Sequence, residues 1–252
     1  GPVVLSNSAM SQKWLYQDLF EFAGLKHKTK NMSHKGLVQI KSQRRFCHEI
    51  CQLINNALYN GELKSIEGQE QRRLIPFEPD TNRAISYHDL SSKAGFICVS
   101  KNNSRRNDYS AIYITDRLLE PLQRHPLINR IDIGIITPYR SQVNKLNTLI
   151  SEKPWPKHFK DKIKVGTVHS FQGSEADLLI YDLVESKDLN VGRLYCFETG
   201  KRLVNVAISR AKSKLIVVGD IDAILNNKGS NKIEPEVGQM MRSIKKFVKV
   251  NH

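Results

Sequence analysis

Two short stretches carry residue types suited to holding phosphate or another oxygen-rich group. In "NVAISRAKSKLIVVGD" (Asn205–Asp220), Arg210 and Lys212 stand just before the apolar, β-branched run Leu215–Gly219. A guanidinium presents forked donors that match phosphate oxygens, which gives Arg210 a chemical reading. The plainer reading is that a cation at the end of a helix suits the helix dipole. In "HSFQGSEAD" (His169–Asp177), Gln172, Gly173, Ser174 and Glu175 form a polar break between two apolar runs. A core has no need of them there. Gly173 lets a backbone come close to a ligand, and Gln172 and Glu175 supply polar contacts.

The elements that position these residues follow from apolar periodicity. Strands are predicted at Ile131–Thr137, Ile163–Val168, Asp177–Leu183 and "KLIVVGD", the last strand, with an earlier one at "GFICVS" (Gly95–Ser100). Helices are predicted over about 109–124, 140–150 and 200–212, so that Arg210 ends a helix. Further helices are expected at Ser11–Gly24, over the stretch from Arg44 to Gly61, and in a basic closing segment. Apolar strands alternating with helices predict an α/β fold with a mostly parallel sheet and helices on both faces. In such sheets ligands gather where strands give way to loops, at the carboxyl edge. "TPYRSQ" and "HSFQGSEAD" both follow strands.

The 252 residues carry 39 Lys+Arg against 25 Asp+Glu, a net +14 that suits a polyanionic partner without specifying one. No apolar run reaches membrane-spanning length and no signal-peptide pattern opens the chain, so a cytoplasmic or nuclear protein is expected. Cys47 and Cys51 share a helix face but lack two further ligands at metal-site spacing, and all four cysteines read as core thiols with no metal site.

Three blocks, "IGIITPYRSQ", "VGTVHSFQGSEADLLIYD" and "RLVNVAISRAKSKLIVVGD", stand in one order, each at a predicted strand-to-loop junction. Together they resemble the second RecA-like domain of the superfamily 1 helicases, in the branch that includes the nonsense-mediated-decay helicase. "SQRRFCHEICQLINNALYNGEL" (Ser42–Leu63) resembles an earlier block of that family, written Gln-Tyr-Arg-Met-His-Pro, with the family's tyrosine replaced by Arg44 and its His-Pro by Cys47-His48. "GPVVLS" resembles the tail of the block before it. The resemblance runs from Val3 to Asp220 and leaves residues 62–93 and the closing helix unexplained.

That resemblance implies a RecA-like three-layer fold, and together with the polar, turn-rich composition of 62–93 and the basic amphipathic pattern of the closing segment it gives four regions. Residues 1–61 form an entry segment with two helices, 62–93 a surface excursion, 94–225 the core with the late motifs, and 226–252 a basic C-terminal helix. It also implies ATP and Mg²⁺ bound mainly by a first RecA-like domain of the same protein. The sequence holds no G-x-x-x-x-G-K-[ST] loop and no acidic Mg²⁺-binding motif after a strand. Arg210 and Arg45 match the family's arginine fingers. Gln43, Arg44, Gln172, Gly173 and Glu175 match nucleotide-contacting positions, with Arg44 where the family packs a tyrosine on adenine. Thr137, Pro138, Tyr139, Thr167 and His169 match positions on single-stranded DNA or RNA, Tyr139 offering a stacking face. Asn205 and Ser209 match positions that couple the two sites. The function implied is the C-terminal motor domain of an ATP-dependent helicase or translocase, inactive by itself. A non-catalytic nucleic-acid-binding module is the alternative, and a nuclease is disfavoured by the lack of an acidic cluster.

Overall fold

The computed structural model describes residues 41–65, 75–76, 82–102, 104–227, 229 and 232–246, with the backbone of 249–250. The helix expected at Ser11–Gly24 lies outside these residues. Ser42–His252 forms one compact unit. A short strand β1 (Ser42–Gln43) pairs in parallel with β2 (Lys64–Ser65), and between them runs α1 (His48–Leu58). β3 (Ile85–Asp89) follows, and then a small antiparallel hairpin of β4 (Val99–Lys101) and β5 (Ser104–Arg106). Next, α2 (Asp108–Tyr113) runs through a π-helical stretch, Ile114–Leu119, into α3 (Glu120–Leu122). The remaining elements are β6 (Ile133–Thr137), α4 (Arg140–Glu152), α5 (Lys157–Lys160), β7 (Ile163–Thr167), β8 (Ala176–Asp182), α6 (Phe197–Ile208), β9 (Ala211–Gly219), α7 (Ile221–Leu225), α8 (Pro235–Lys246) and β10 (Lys249–Val250).

Six strands make one all-parallel sheet in the order β10-β3-β9-β8-β6-β7. Successive residues on its strands bury on opposite faces, as the pleat requires. Ile85, Tyr87, Ile136, Leu179, Tyr181, Leu215 and Val217 face the layer formed by α1, α6, α7 and α8. Ile133, Ile135, Leu178, Ile180, Ile216 and Val218 face α2, α4 and α5. The fold is the expected three-layer α/β arrangement.

Four features depart from the sequence expectation. β3 lies within the stretch expected to be a surface excursion, yet its five residues are all buried between β9 and β10. "GFICVS" does not join the sheet. Its inward positions Phe96 and Cys98 are buried while Ile97 and Val99 are each 53% exposed, and only Val99–Lys101 pairs, with β5. α8 is not a separate basic tail, because Val237, Met240, Met241 and Ile244 share one buried cluster with α1 and α6. "KLIVVGD" is followed by one more strand, β10, at the sheet edge.

A polar network is buried where β8 ends. Asp182 accepts hydrogen bonds from Gln142 Nε2 at 2.6 Å, Ser110 Oγ at 3.2 Å and the Val184 backbone N–H at 3.2 Å. Burial pushes its carboxyl up to about 6 despite those donors. The folded state therefore holds the Asp182 proton more tightly than the unfolded chain does. Stability from this group is full below about pH 4, falls as the pH rises to about 6 and is flat above; the ceiling is about 3 kcal/mol. Asp182→Asn is expected to remove that slope, read by urea denaturation at pH values from 4 to 7. Parallel pH profiles for the two proteins would show that the slope comes from elsewhere.

Candidate functional site

The residues singled out in the sequence collect at two opposite edges of the sheet, not at one. β8 and β9 are parallel, and Ala176 pairs with Ala211 at their amino ends. Glu175 and Arg210 immediately precede those two residues, and the Ala176 N–H donates to the Arg210 carbonyl at 3.0 Å. Of the two loops expected at the carboxyl edge, "TPYRSQ" opens and stays there, while "HSFQGSEAD" only begins there. The loop after β7 starts at that edge and then crosses back to deliver Glu175 to the amino edge.

Arg45 reaches the same amino edge from another part of the chain. The Gln43 side chain shapes the turn before α1: its Oε1 accepts the Arg45 and Phe46 N–H groups at 2.8 and 3.0 Å, and its Nε2 donates to the Phe46 carbonyl and Ser65 Oγ at 2.9 and 2.7 Å. Gln43 therefore shapes the loop, with its amide committed to the protein. The Cys47 N–H donates to the Lys212 carbonyl at 2.9 Å and fastens this turn to β9, two residues past Arg210. The result is a cluster of two guanidiniums and one carboxylate, in which Arg45 Nε meets Glu175 Oε1 at 2.6 Å. Both partners are more than a third exposed, so this ion pair adds little stability. Burial, then the Arg45 charge, lower the Arg210 pKa, and Glu175 opposes them. Arg210 Nε is buried and has no hydrogen-bond partner among the described residues.

Arg210 does not sit on a helix. α6 stops at Ile208, Ser209 caps it, and Arg210 occupies the turn into β9. Lys212 belongs to β9 and pairs with Asp177 at 2.7 Å, so the second cation of the block is structural. Gly173 has φ +85°, and a Cβ there would meet nothing within 4 Å, so backbone conformation and not crowding selects glycine. Gln172 and Arg44 are exposed. Asn205 leaves its Oδ1 buried and unpartnered among the described residues, and Ser209 Oγ donates to the Val206 carbonyl at 3.2 Å.

At the carboxyl edge, Thr137 pairs with Thr167 across β6 and β7. Pro138, Tyr139, Thr167 and His169 line one cavity of about 250 Å³ with Ser104, Arg140, Val168, Leu194 and Leu203. Pro138, Thr167 and His169 have accessible surface, but Thr137 is fully buried and points no group at solvent. Tyr139 is 5% exposed, and its ring lies under the Arg105 guanidinium, 5.9 Å from the ring centroid. Its hydroxyl donates to Glu185, which also pairs with Arg105. Tyr139 therefore offers no open stacking face. Ser104, Arg105 and Glu185 escaped the sequence reading because their meeting depends on the hairpin folding back over α4. Gln142 carried a faint signal, as a polar residue three positions past Tyr139 on a face turned to the sheet. The two edges lie one length of β8 apart, roughly 20 Å at about 3.3 Å per residue.

The amino-edge residues fit a polyphosphate: two guanidiniums converge, and one donor is buried and unpaired. They do not fit Mg²⁺, since no group of three His, Cys, Asp or Glu side chains with metal-site geometry occurs among the described residues. No helix among them is long and apolar enough to cross a membrane.

A protein-family model described as an AAA domain matches residues 17–222. Helicase sen1 of Schizosaccharomyces pombe is 28% identical over 225 residues, covering 88% of this chain and 12% of that protein. A putative helicase mov-10-B.2 of Danio rerio is 32% identical over 185 residues, 68% of this chain and 18% of that one. An uncharacterized ATP-dependent helicase, MJ0104, of Methanocaldococcus jannaschii is 27% identical over 238 residues, 92% of this chain and 32% of that one. The chain thus spans between 12% and 32% of the length of these relatives. A solved C-terminal domain of a possible DNA helicase from Lactobacillus plantarum aligns with a TM-score of 0.43 and 12% identity, over 80% of this chain and 96% of that one.

Proposed function

The chain belongs to this AAA domain family as a second RecA-like domain of the superfamily 1 helicase kind, and from that premise we propose that it completes an ATPase site built by another domain. The observation that carries the reading is the convergence of Arg45 and Arg210 at the amino edge, with Arg210 Nε buried and unpaired. In this reading a first RecA-like domain of the same protein holds ATP and Mg²⁺. The two arginines meet the γ-phosphoryl group across the cleft and neutralise charge as it spreads over the oxygens. Glu175 keeps the arginines company until nucleotide arrives, and then turns to a ribose hydroxyl. Arg44, Gln172 and Gly173 complete the nucleotide side.

Single-stranded DNA or RNA lies on the carboxyl edge, against Pro138, Thr167 and His169, held through its backbone and without sequence readout. α6 runs between the edges, from Leu203 in the carboxyl-edge cavity to Asn205 and Ser209 beside Arg210. Closure of the cleft on ATP and its reopening after hydrolysis then move the strand. Half of this apparatus hydrolyses nothing. The purified chain is expected to bind a single-stranded oligonucleotide with an affinity that falls steeply with salt, and to show no ATPase. Turnover that follows the chain through purification and scales with its concentration would refute the division of labour.

A further inference from the structure

Phe197 is a large aromatic left 44% exposed at the start of α6, and its backbone has φ +60°. A bulky side chain rarely occupies that left-handed region, and residues held there tend to cluster at functional positions. Three ties impose the conformation. The Phe197 N–H donates to the Lys232 carbonyl at 3.2 Å, Cys196 forms an antiparallel bridge with Ile233, and Gly200 lies so close to the Tyr195 backbone that a Cβ would collide with it. Tyr195 itself is fully buried, and its hydroxyl donates to the Leu183 carbonyl at 2.9 Å. These ties fix the backbone there and leave Phe197 nearly half exposed.

Leu194, three residues earlier, lines the carboxyl-edge cavity with Thr167 and His169. Three residues of chain span at most about 11 Å, so the Phe197 backbone lies within that reach of the Leu194 wall of the cavity. Exposed Arg193 stands four residues before it, and the carbonyl of exposed Lys232 accepts its backbone N–H. An exposed aromatic near cations is a stacking platform for an unpaired base, with the cations near the backbone phosphates. We propose that Phe197 stacks on a base of single-stranded nucleic acid at the carboxyl edge; this rests on the nucleic-acid reading above. Because α6 carries that ring at one end and leads to Arg210 at the other, base stacking bears on the helix that positions the amino-edge cluster.

The test uses the 252-residue chain and a single-stranded oligothymidylate with 2-aminopurine at successive positions. Phe197→Ala is expected to weaken binding roughly 5- to 100-fold, to leave the salt dependence unchanged and to abolish the fluorescence quenching of one 2-aminopurine position. Phe197→Trp should retain binding and quenching. Phe197→Gly, which suits the left-handed backbone, should bind as weakly as Phe197→Ala while melting within about 3 °C of the parent, separating lost contact from lost fold. Binding by Phe197→Ala within twofold of the parent, with quenching intact, would overturn the platform alone and mark the ring as a protein contact. Failure of the parent chain to bind any single strand would overturn the platform together with the reading beneath it.

Discussion

Arg210→Ala in the full-length protein is expected to lower ATP turnover by about a thousandfold or more, the scale at which a trans-acting arginine contributes to phosphoryl transfer. Magnitude separates this from the plainer reading. A cation at a helix end contributes about 0.3–1 kcal/mol of stability and nothing to turnover. Arg210 is moreover not on the helix, and its Nε is buried without a partner. Removing it relieves that burial and the repulsion from Arg45, so the variant should melt no lower than the parent. Arg210→Lys should recover little, because an ammonium lacks the planar fork. Single-strand binding should stay within about twofold, since the carboxyl edge lies roughly 20 Å away. The checks are steady-state ATPase at saturating nucleotide and an oligonucleotide titration. Turnover within a few-fold of the parent would remove Arg210 from the reaction.

Much of this arrangement was legible in the chain. The runs that became β6, β8 and the Leu215–Gly219 part of β9 are largely apolar and β-branched, which is what a strand covered on both faces must be, while edge strand β7 alternates with the exposed Lys164. The loops that close them carry the polar residues that a core rejects. β3 was missed for the converse reason. "ISYHD" puts Tyr87, His88 and Asp89 in buried positions, so composition reads it as surface. Burial is tolerable because Tyr87 donates to the Gly219 carbonyl at 3.1 Å and His88 Nδ1 meets the Tyr113 hydroxyl at 2.8 Å, partners that only the fold supplies. The same limit explains the site. Gly173, Glu175, Arg45 and Arg210 could be picked out by type and order, and the structure brings the three charged ones together. Glu175 and Arg210 each directly precede a strand of a parallel sheet, so their amino edge follows from chain order, whereas the arrival of Arg45 there depends on the long-range tie of Cys47 to Lys212, which residue spacing does not encode. Tyr139 was open to a stacking or a packing reading, and its cover, Arg105, lies in β5, outside the Gly95–Ser100 run expected to be a strand.

That cover leads to the second large effect. Glu185→Ala is expected to cost about 3–5 kcal/mol, the range for breaking a buried ion pair by removing one partner. Glu185 is fully buried, accepts from the Tyr139 hydroxyl and pairs with Arg105, while the Val184 before it is held at φ +68°. Asn107 Nδ2 donates to the Val184 carbonyl at 3.2 Å and Asp182 Oδ1 accepts its N–H, so the turn is fixed from both sides. Without the carboxylate, the Arg105 guanidinium can move to water, its side chain being 18% exposed, which pulls the loss toward the lower figure. The Tyr139 hydroxyl has no such escape, because the residue is 5% exposed. An unsatisfied buried hydroxyl adds about 1–3 kcal/mol, which pulls the loss back up. Glu185→Gln keeps the volume and one acceptor, and should lose about half as much. Urea denaturation supplies the energies, and a double-mutant cycle with Arg105→Ala should return a coupling above about 1 kcal/mol. A loss below about 1 kcal/mol with no coupling would mean that the hairpin is not held to the carboxyl edge through Glu185. The released hairpin also uncovers Tyr139, and the cavity beside Thr167 and His169 loses the wall that Ser104 provides. Single-strand affinity in Glu185→Ala should therefore fall even at urea concentrations where the protein is still folded, and the Arg45–Glu175–Arg210 cluster at the opposite edge should be unaffected.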